Sequence, residues 1–229
     1  MKNTKLILFT FLAITAILFS SCGASSSSDS TSTEKVEGGT ESTESGAVVT
    51  IGNQAWTTKN LDVATYRNGD VIPQVQEQST WASLTTGAWC YYGNDASNGT
   101  KYGKLYNWYA VNDPRGLAPN GYHIPTDAEW TKLRDYLGGE SEAGTKMKSS
   151  TGWDSNGNGT NSSGFAGFPG GYRGGNGTFR SIGRNGYWWS ATESGAYDAW
   201  YRVLYYLNGY VSRGFNYEQN AFSVRCLGD

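Results

Sequence analysis

The sequence predicts an α+β domain over residues 47–229, built of short strands, two helices and a closing antiparallel sheet. Three observations predict it. "HIPTDAEWTKLRDYLGG" carries a full set of helix start and stop signals, and "AWYRVLYYLNGYVSRGFNY" places two β-prone runs around Asn208-Gly209. The composition agrees: aromatic residues are 14% of the 229-residue chain, charged residues only 17%, and Gly numbers 31, a profile of aromatic-rich strands joined by tight turns. The length suits one domain with a sizeable core and leaves little room for a second.

In chain order, residues 1–21 read as a secretory signal peptide, with Lys2 and Lys5 before an apolar run from Leu6 to Phe19 and small residues ahead of Cys22. That run is too short to span a bilayer comfortably. "FSSC" resembles a bacterial lipoprotein box, which implies that Cys22 is lipidated and becomes the membrane anchor, held stably by two or three acyl chains. Residues 22–46 then form a tether of Ser, Thr, Gly and Glu without periodicity, expected to be disordered and to reach about 25–30 Å. Loss of the leader takes the net charge from −2 to −4, and nothing in this balance attracts nucleic acid.

Within the folded part, "AVVTIGNQAWTTKNLDVATYRNGDVI" predicts short strands and tight turns. Thr126 and Glu129 make a capping box, Trp130, Leu133 and Leu137 share one face of the helix it starts, and Gly138-Gly139 stop it. A second helix is expected over Ser141–Ser149, with Ala143 and Met147 inward and Lys146 and Lys148 near its C-terminus. Asn208-Gly209 predicts a hairpin, and a final strand is expected from about Phe222 to Leu227.

His123 is the chain's one histidine and stands just before the capped helix, where a structural hydrogen bond is the expected role. No Gly-x-Ser-x-Gly elbow accompanies it. With Cys22 assigned to lipid, Cys90 and Cys226 remain, an even number in an oxidising compartment, and a disulfide between them is expected to contribute about 4–5 kcal/mol. "DSNGNGTN" sets Asp154, Asn156 and Asn158 at the alternating positions of a calcium loop, but Phe165 stands where its closing Glu belongs, so an Asn/Gly surface loop competes with a calcium site. In "NGYWWSATES" strand alternation sends Trp188 to one face and Tyr187 and Trp189 to the other, so they form no single platform. Core packing is the main reading, with Trp188 kept as a binding residue should it face outward. Tyr201, Tyr205, Tyr210 and Tyr217 of the last hairpin are further stacking candidates, against ordinary cross-strand packing.

"IGNQAWTTKNLDV", "WCYYGNDASNGTKYGKLYNWYAV", "GYHIPTDAEWTKL", "SSGFAGFPGGYR", "GYWWSAT" and "FSVRCL" together resemble the Fibrobacter succinogenes major paralogous domain family, whose members are exported bacterial chains with no assigned activity. Many of them carry a Cys where this chain has Ala118, and that departure leaves Cys90 and Cys226 either paired with each other or both free. "HIPTDAEW" is similar to a segment of the formylglycine-generating enzymes, which implies a C-type-lectin-like fold. The paired catalytic cysteines of those enzymes have no counterpart near Cys226, and a fold does not carry its activity along. The sequence therefore leads to a lipid-anchored protein in the outer membrane or at the cell surface, with a non-catalytic binding or structural head for glycan or an envelope protein. An enzyme of unknown type on a formylglycine-generating-enzyme-like fold is the alternative.

Overall fold

The computed structural model describes residues 47–229, so the expected signal peptide, lipidation residue Cys22 and tether lie outside the described residues. Among these residues no helix is long and apolar enough to cross a membrane. The chain opens with β1 (Val48–Ile51) and β2 (Gln54–Thr57), a hairpin with a two-residue loop that puts Gly52 at φ 64°, where glycine alone avoids strain. Then come α1 (Gln78–Ala82), β3 (Trp89–Cys90), α2 (Gly99–Tyr102), β4 (Leu105–Asn107), α3 (Trp108–Val111) and β5 (Tyr122–His123). The two expected helices follow as α4 (Asp127–Tyr136) and α5 (Ala143–Met147). The remainder is β6 (Gly170–Arg173), β7 (Phe179–Ile182), β8 (Asn185–Gly195), β9 (Asp198–Tyr205), β10 (Val211–Tyr217), β11 (Ala221–Phe222) and β12 (Leu227–Gly228). The fold is thus α+β with sheet predominant.

Four strands form one sheet in the order β1-β2-β12-β5. Eight form the other, in the order β10-β9-β8-β6-β11-β4-β3 with β7 on β6, and β8, β9 and β10 make the expected antiparallel closing unit. α4 has the capping box foreseen: the Thr126 hydroxyl accepts from the Glu129 N–H, and the Glu129 carboxylate accepts from the Thr126 N–H at 2.8 Å. Trp130, Leu133 and Leu137 are buried, as are Ala143 and Met147. α1, α2 and α3 are additional one-turn helices, too short for an apolar period to develop.

Two expectations about the strands change. Asn208-Gly209 does connect β9 to β10, but within a five-residue loop, and Gly209 is outside the left-handed region. Its carbonyl accepts from the Gly144 N–H at 2.8 Å, and a Cβ on Gly209 would strike the Thr145 hydroxyl, so close approach to α5 explains the glycine. The final strand splits: β11 belongs to the eight-stranded sheet and β12 to the four-stranded one, and the chain crosses between them at residues 223–226. Arg225, inside that crossing, points into the protein.

The stretch "WWSAT" holds the entry of α4. Trp188 and Trp189, each 0% exposed, separate as strand alternation requires, Trp188 to a core with Trp56, Trp130, Phe165 and Leu204, and Trp189 to a core with Trp108, Tyr106 and Phe222. The register of β8 on β9 shifts after Trp189, which frees backbone groups from the ladder. The carbonyls of Trp189 and Ser190 accept from the indoles of Trp130 at 3.3 Å and Trp108 at 2.8 Å. Ala191 N–H donates to the Pro125 carbonyl, and the Thr192 hydroxyl accepts from the Asp127 N–H. "WWSAT" is therefore the socket for "IPTDAEW".

The long segments without regular structure are pinned by buried cations. Arg225, 1% exposed, donates to the carbonyls of Thr57, Phe165 and Ala166 and to the Asn60 side chain, and lies 4.3 Å over the Phe165 ring. Burial pulls its pKa down to about 9, which leaves it charged at neutral pH. Arg173 donates to the carbonyls of Val75, Gln76 and Gly177, and Lys148 to those of Gly157, Tyr205 and Asn208. Lys148 is thus a buried strut and not the solvent-facing end of a helix.

Cys90 and Cys226 are free and buried, which corrects the disulfide expected between them. Cys90 packs with Trp81, Ala88 and Leu105, whereas Cys226 lies in another core cluster, the one that holds Ala118. Burial pushes both thiols up to about 12.

Replacing Arg225 with Met should lower unfolding free energy by about 3 kcal/mol or more, because several buried acceptors lose their donor together. Urea denaturation followed by tryptophan fluorescence measures it, and a change below about 1 kcal/mol would contradict the strut role.

Candidate functional site

β10 is an edge strand, and its alternation decides which aromatic groups reach solvent. Arg213, Phe215 and Tyr217 share one face with Trp200 of β9, the partner of Phe215. Phe215 is 58% and Tyr217 62% exposed. The Phe215 ring meets Trp200 edge-on at 5.5 Å, and the Arg213 guanidinium stacks 3.2 Å from the Trp200 ring centre. Arg213 also donates to the Asp127 carboxylate at 3.0 Å, so Trp200 is fixed from one side and Phe215 is left open on the other. Tyr197, 75% exposed, caps the turn between β8 and β9, and its carbonyl accepts from the Glu218 N–H.

Beside this turn, on the opposite face of the sheet, lies a polar cavity of about 470 Å³. Glu193, Glu218, Asn112, Tyr109, Thr85 and Thr86 line it, with the Asp113–Arg115 ion pair at 2.8 Å on its wall. Partial burial first, and then the negative charges of Glu193 and Asp198, raise the pKa of Glu218 above its ordinary 4.5. The cavity offers carboxylates, an amide and hydroxyls that can hydrogen-bond a polyhydroxylated molecule, while the exposed Phe215 and Tyr217 rings, on the other face, can stack on the apolar face of a sugar.

Trp188 is excluded as a binding residue, because its indole is buried and donates to the Asn60 side chain at 2.9 Å. Tyr201 packs on Tyr187, Trp189 and Phe222, which makes it part of the core edge, and Tyr205 is half-buried on the same face. Tyr210, 45% exposed, and Tyr217 stand at opposite ends of β10, about 23 Å apart along a strand, so one small ligand cannot bridge them. Phe215 and Trp200 were not among the sequence candidates. The alternation in "RGFNY" is the signal that marks Phe215, once β10 is known to be an edge.

Asp154 and Asn156 bound a single 3-10 turn, and Asn158 follows two residues later. Asp154 faces Arg184 at 3.7 Å, and the Asn158 side-chain carbonyl accepts from the Trp153 N–H at 3.0 Å. Among the described residues no group of three His, Cys, Asp or Glu could hold a metal ion. His123 bridges Asp229 at 2.8 Å and Glu129 at 3.0 Å, the structural role expected of it. Partial burial pulls its pKa down, but the two carboxylates outweigh this and the net change is upward from 6.5.

A family model described as the Fibrobacter succinogenes major domain matches residues 49–227. No curated protein and no solved structure matches the chain.

The raised pKa of Glu218 has a sign. A carboxyl that binds its proton more tightly in the folded state favours folding below pH 4.5, and that contribution is lost as pH rises through the folded value. Glu218→Gln should therefore raise the thermal midpoint at pH 7 and converge with the parent below about pH 4.5. Equal midpoints at both pH values would show that neither burial nor the charges of Glu193 and Asp198 load this carboxylate.

Proposed function

We propose, from the premise that the chain belongs to the Fibrobacter succinogenes major domain family, that it is an exported envelope protein whose head binds glycan without chemical conversion. Lipid on Cys22 anchors it in the outer membrane or at the cell surface, and residues 22–46 hold the head clear of the headgroups. The observation that carries the binding reading is the open aromatic strip of Phe215 and Tyr217 on the edge strand β10, on which the apolar face of a sugar ring can stack. We take the head to be C-type-lectin-like. The pairing of β2 with β12, near opposite ends of the described chain, and the placement of α4 directly after "HIPT" support that architecture.

One feature favours a second reading, cleavage of a glycosidic bond in the polar cavity on the other face of the sheet. Glu218 keeps its proton to higher pH than an ordinary glutamate and neighbours Glu193, the kind of carboxylate pairing that supplies an acid and a base. Release of reducing sugar from a bound oligosaccharide, abolished by Glu218→Gln, would replace the non-catalytic reading with this one.

Glycan-array binding and calorimetry with the purified chain carrying Cys22→Ser test the primary reading. Phe215→Ala and Tyr217→Ala should each weaken binding about tenfold, with the fold unchanged. Affinity unchanged in both would move the site elsewhere, and no glycan bound at millimolar concentration would overturn the reading. The anchor is tested separately: Cys22→Ser should shift the native chain from the membrane pellet to the soluble fraction, and retention in the pellet would refute lipidation at this residue.

A further inference from the structure

The second and larger cavity has the opposite chemistry. It measures about 860 Å³ and lies between the segment from Thr57 to Val63 and α2, with Phe168, Pro119 and Tyr122 completing its walls. Residues 47–229 contain as many Lys and Arg as Asp and Glu, so the head as a whole has no electrostatic preference. The preference is local. Lys59 and Lys101 open onto this cavity, and among the described residues neither has a carboxylate within ion-pair distance, whereas the one acidic residue lining it, Asp62, is neutralised by buried Lys104 at 2.6 Å.

The walls are rigid. The Asn60 side-chain carbonyl accepts from the Trp188 indole and from Arg225, each at 2.9 Å, while its amide donates to the Tyr102 carbonyl at 2.8 Å, so this lining residue is tied to both the core and α2. A Cβ on Gly103 would come within 2.8 Å of the Leu61 carbonyl, and its absence lets α2 close against the 60–61 segment. The ammonium of exposed Lys101 sits 5.0 Å from the Tyr102 ring centre and 5.5 Å from that of Phe168, which keeps the charge beside the Phe168 wall.

We propose that this cavity binds an organic phosphate, with the phosphate between Lys59 and Lys101 and the organic body against Phe168, Leu61 and Tyr122. Two ammonium groups act as point charges that suit a tetrahedral phosphate, whereas no arginine fork is present to favour a planar carboxylate. The volume falls within the range of small-ligand sites. The chain enters the head beside it, for the Ala47 carbonyl accepts from the Thr58 N–H at 2.8 Å, between lining residues Thr57 and Lys59. A phospholipid headgroup and a soluble phosphoester are therefore both physically able to reach it. The site is independent of the aromatic strip and of the glycan reading.

Calorimetry of the full chain carrying Cys22→Ser with phenyl phosphate tests the proposal, with phenol as the uncharged control. Saturable binding of phenyl phosphate alone is expected, weakening as salt rises from about 0.05 to 0.5 M. Lys59→Gln and Lys101→Gln should each reduce affinity about three- to fivefold, and the pair about ten- to twenty-fivefold, with circular dichroism unchanged. Vesicles of phosphatidylglycerol and of phosphatidylcholine separate the sources: sedimentation with the former alone, weakened in the double variant, assigns a lipid headgroup, and phenyl phosphate binding without sedimentation assigns a soluble ligand. Absence of saturable binding, or binding undiminished in the double variant, overturns the proposal.

Discussion

Much of this fold depends on burying positive charge among backbone carbonyls. Arg225, Arg173 and Lys148 are each at most 4% exposed, and their polar partners are chiefly main-chain oxygens. Segments such as 58–77 and 148–169 are nearly free of regular structure, and their carbonyls would otherwise be buried without donors. A guanidinium can serve several such oxygens from one point and stack on an aromatic face at the same time, as Arg225 does on Phe165 and Arg173 on Trp81 at 4.4 Å. The desolvation cost of each cation is large, and the multiple charge-assisted hydrogen bonds are what offset it.

Arg225 also links the two sheets. It lies in the crossing from β11 to β12, reaches Thr57 at the end of β2, and shares Asn60 with the indole of Trp188 on β8. The strand that carries Trp188 meanwhile receives the N-terminus of α4 through Ala191 and Thr192. One connected set of hydrogen bonds thus runs from the four-stranded sheet, through Asn60, to the socket of α4. This is why the tandem tryptophans are structural: each indole N–H has a fixed partner, Asn60 for Trp188 and the Tyr106 carbonyl for Trp189.

What could be read from the sequence was local. The capping box of α4, the inward Trp130-Leu133-Leu137 face and the separation of Trp188 from Trp189 follow from periods of a few residues, and the structure has them. The rest depends on pairings between distant segments. The split of the last strand is fixed by Arg225 meeting acceptors about 60 and 170 residues away in sequence, and Lys148 gave no sign that its charge would be buried. Cys90 and Cys226 show the same limit: parity and compartment argue for a bond, but their placement in separate core clusters decides against it.

The tyrosines show how little residue type alone says about a site. Tyr201 and Tyr217 are close in sequence and chemically identical, yet one lies under the sheet with Phe222 and the other is open to solvent. The difference arises from register: Tyr201 faces Gly214 across the ladder, and the missing side chain there makes room for its ring, whereas Tyr217 lies on the alternate face of an edge strand, opposite Asp198. A chain with 14% aromatic residues must bury most of them, and it does so in three core clusters that meet at the sheets. Within the eight-stranded sheet, the aromatic groups most open to solvent are then left where the sheet runs out of partners, on β10 and at the turn before β9. The edge that exposes Phe215 and Tyr217 also needs protection from pairing with another chain, and Arg213, held by Asp127 on that same strand, supplies a charge suited to the purpose.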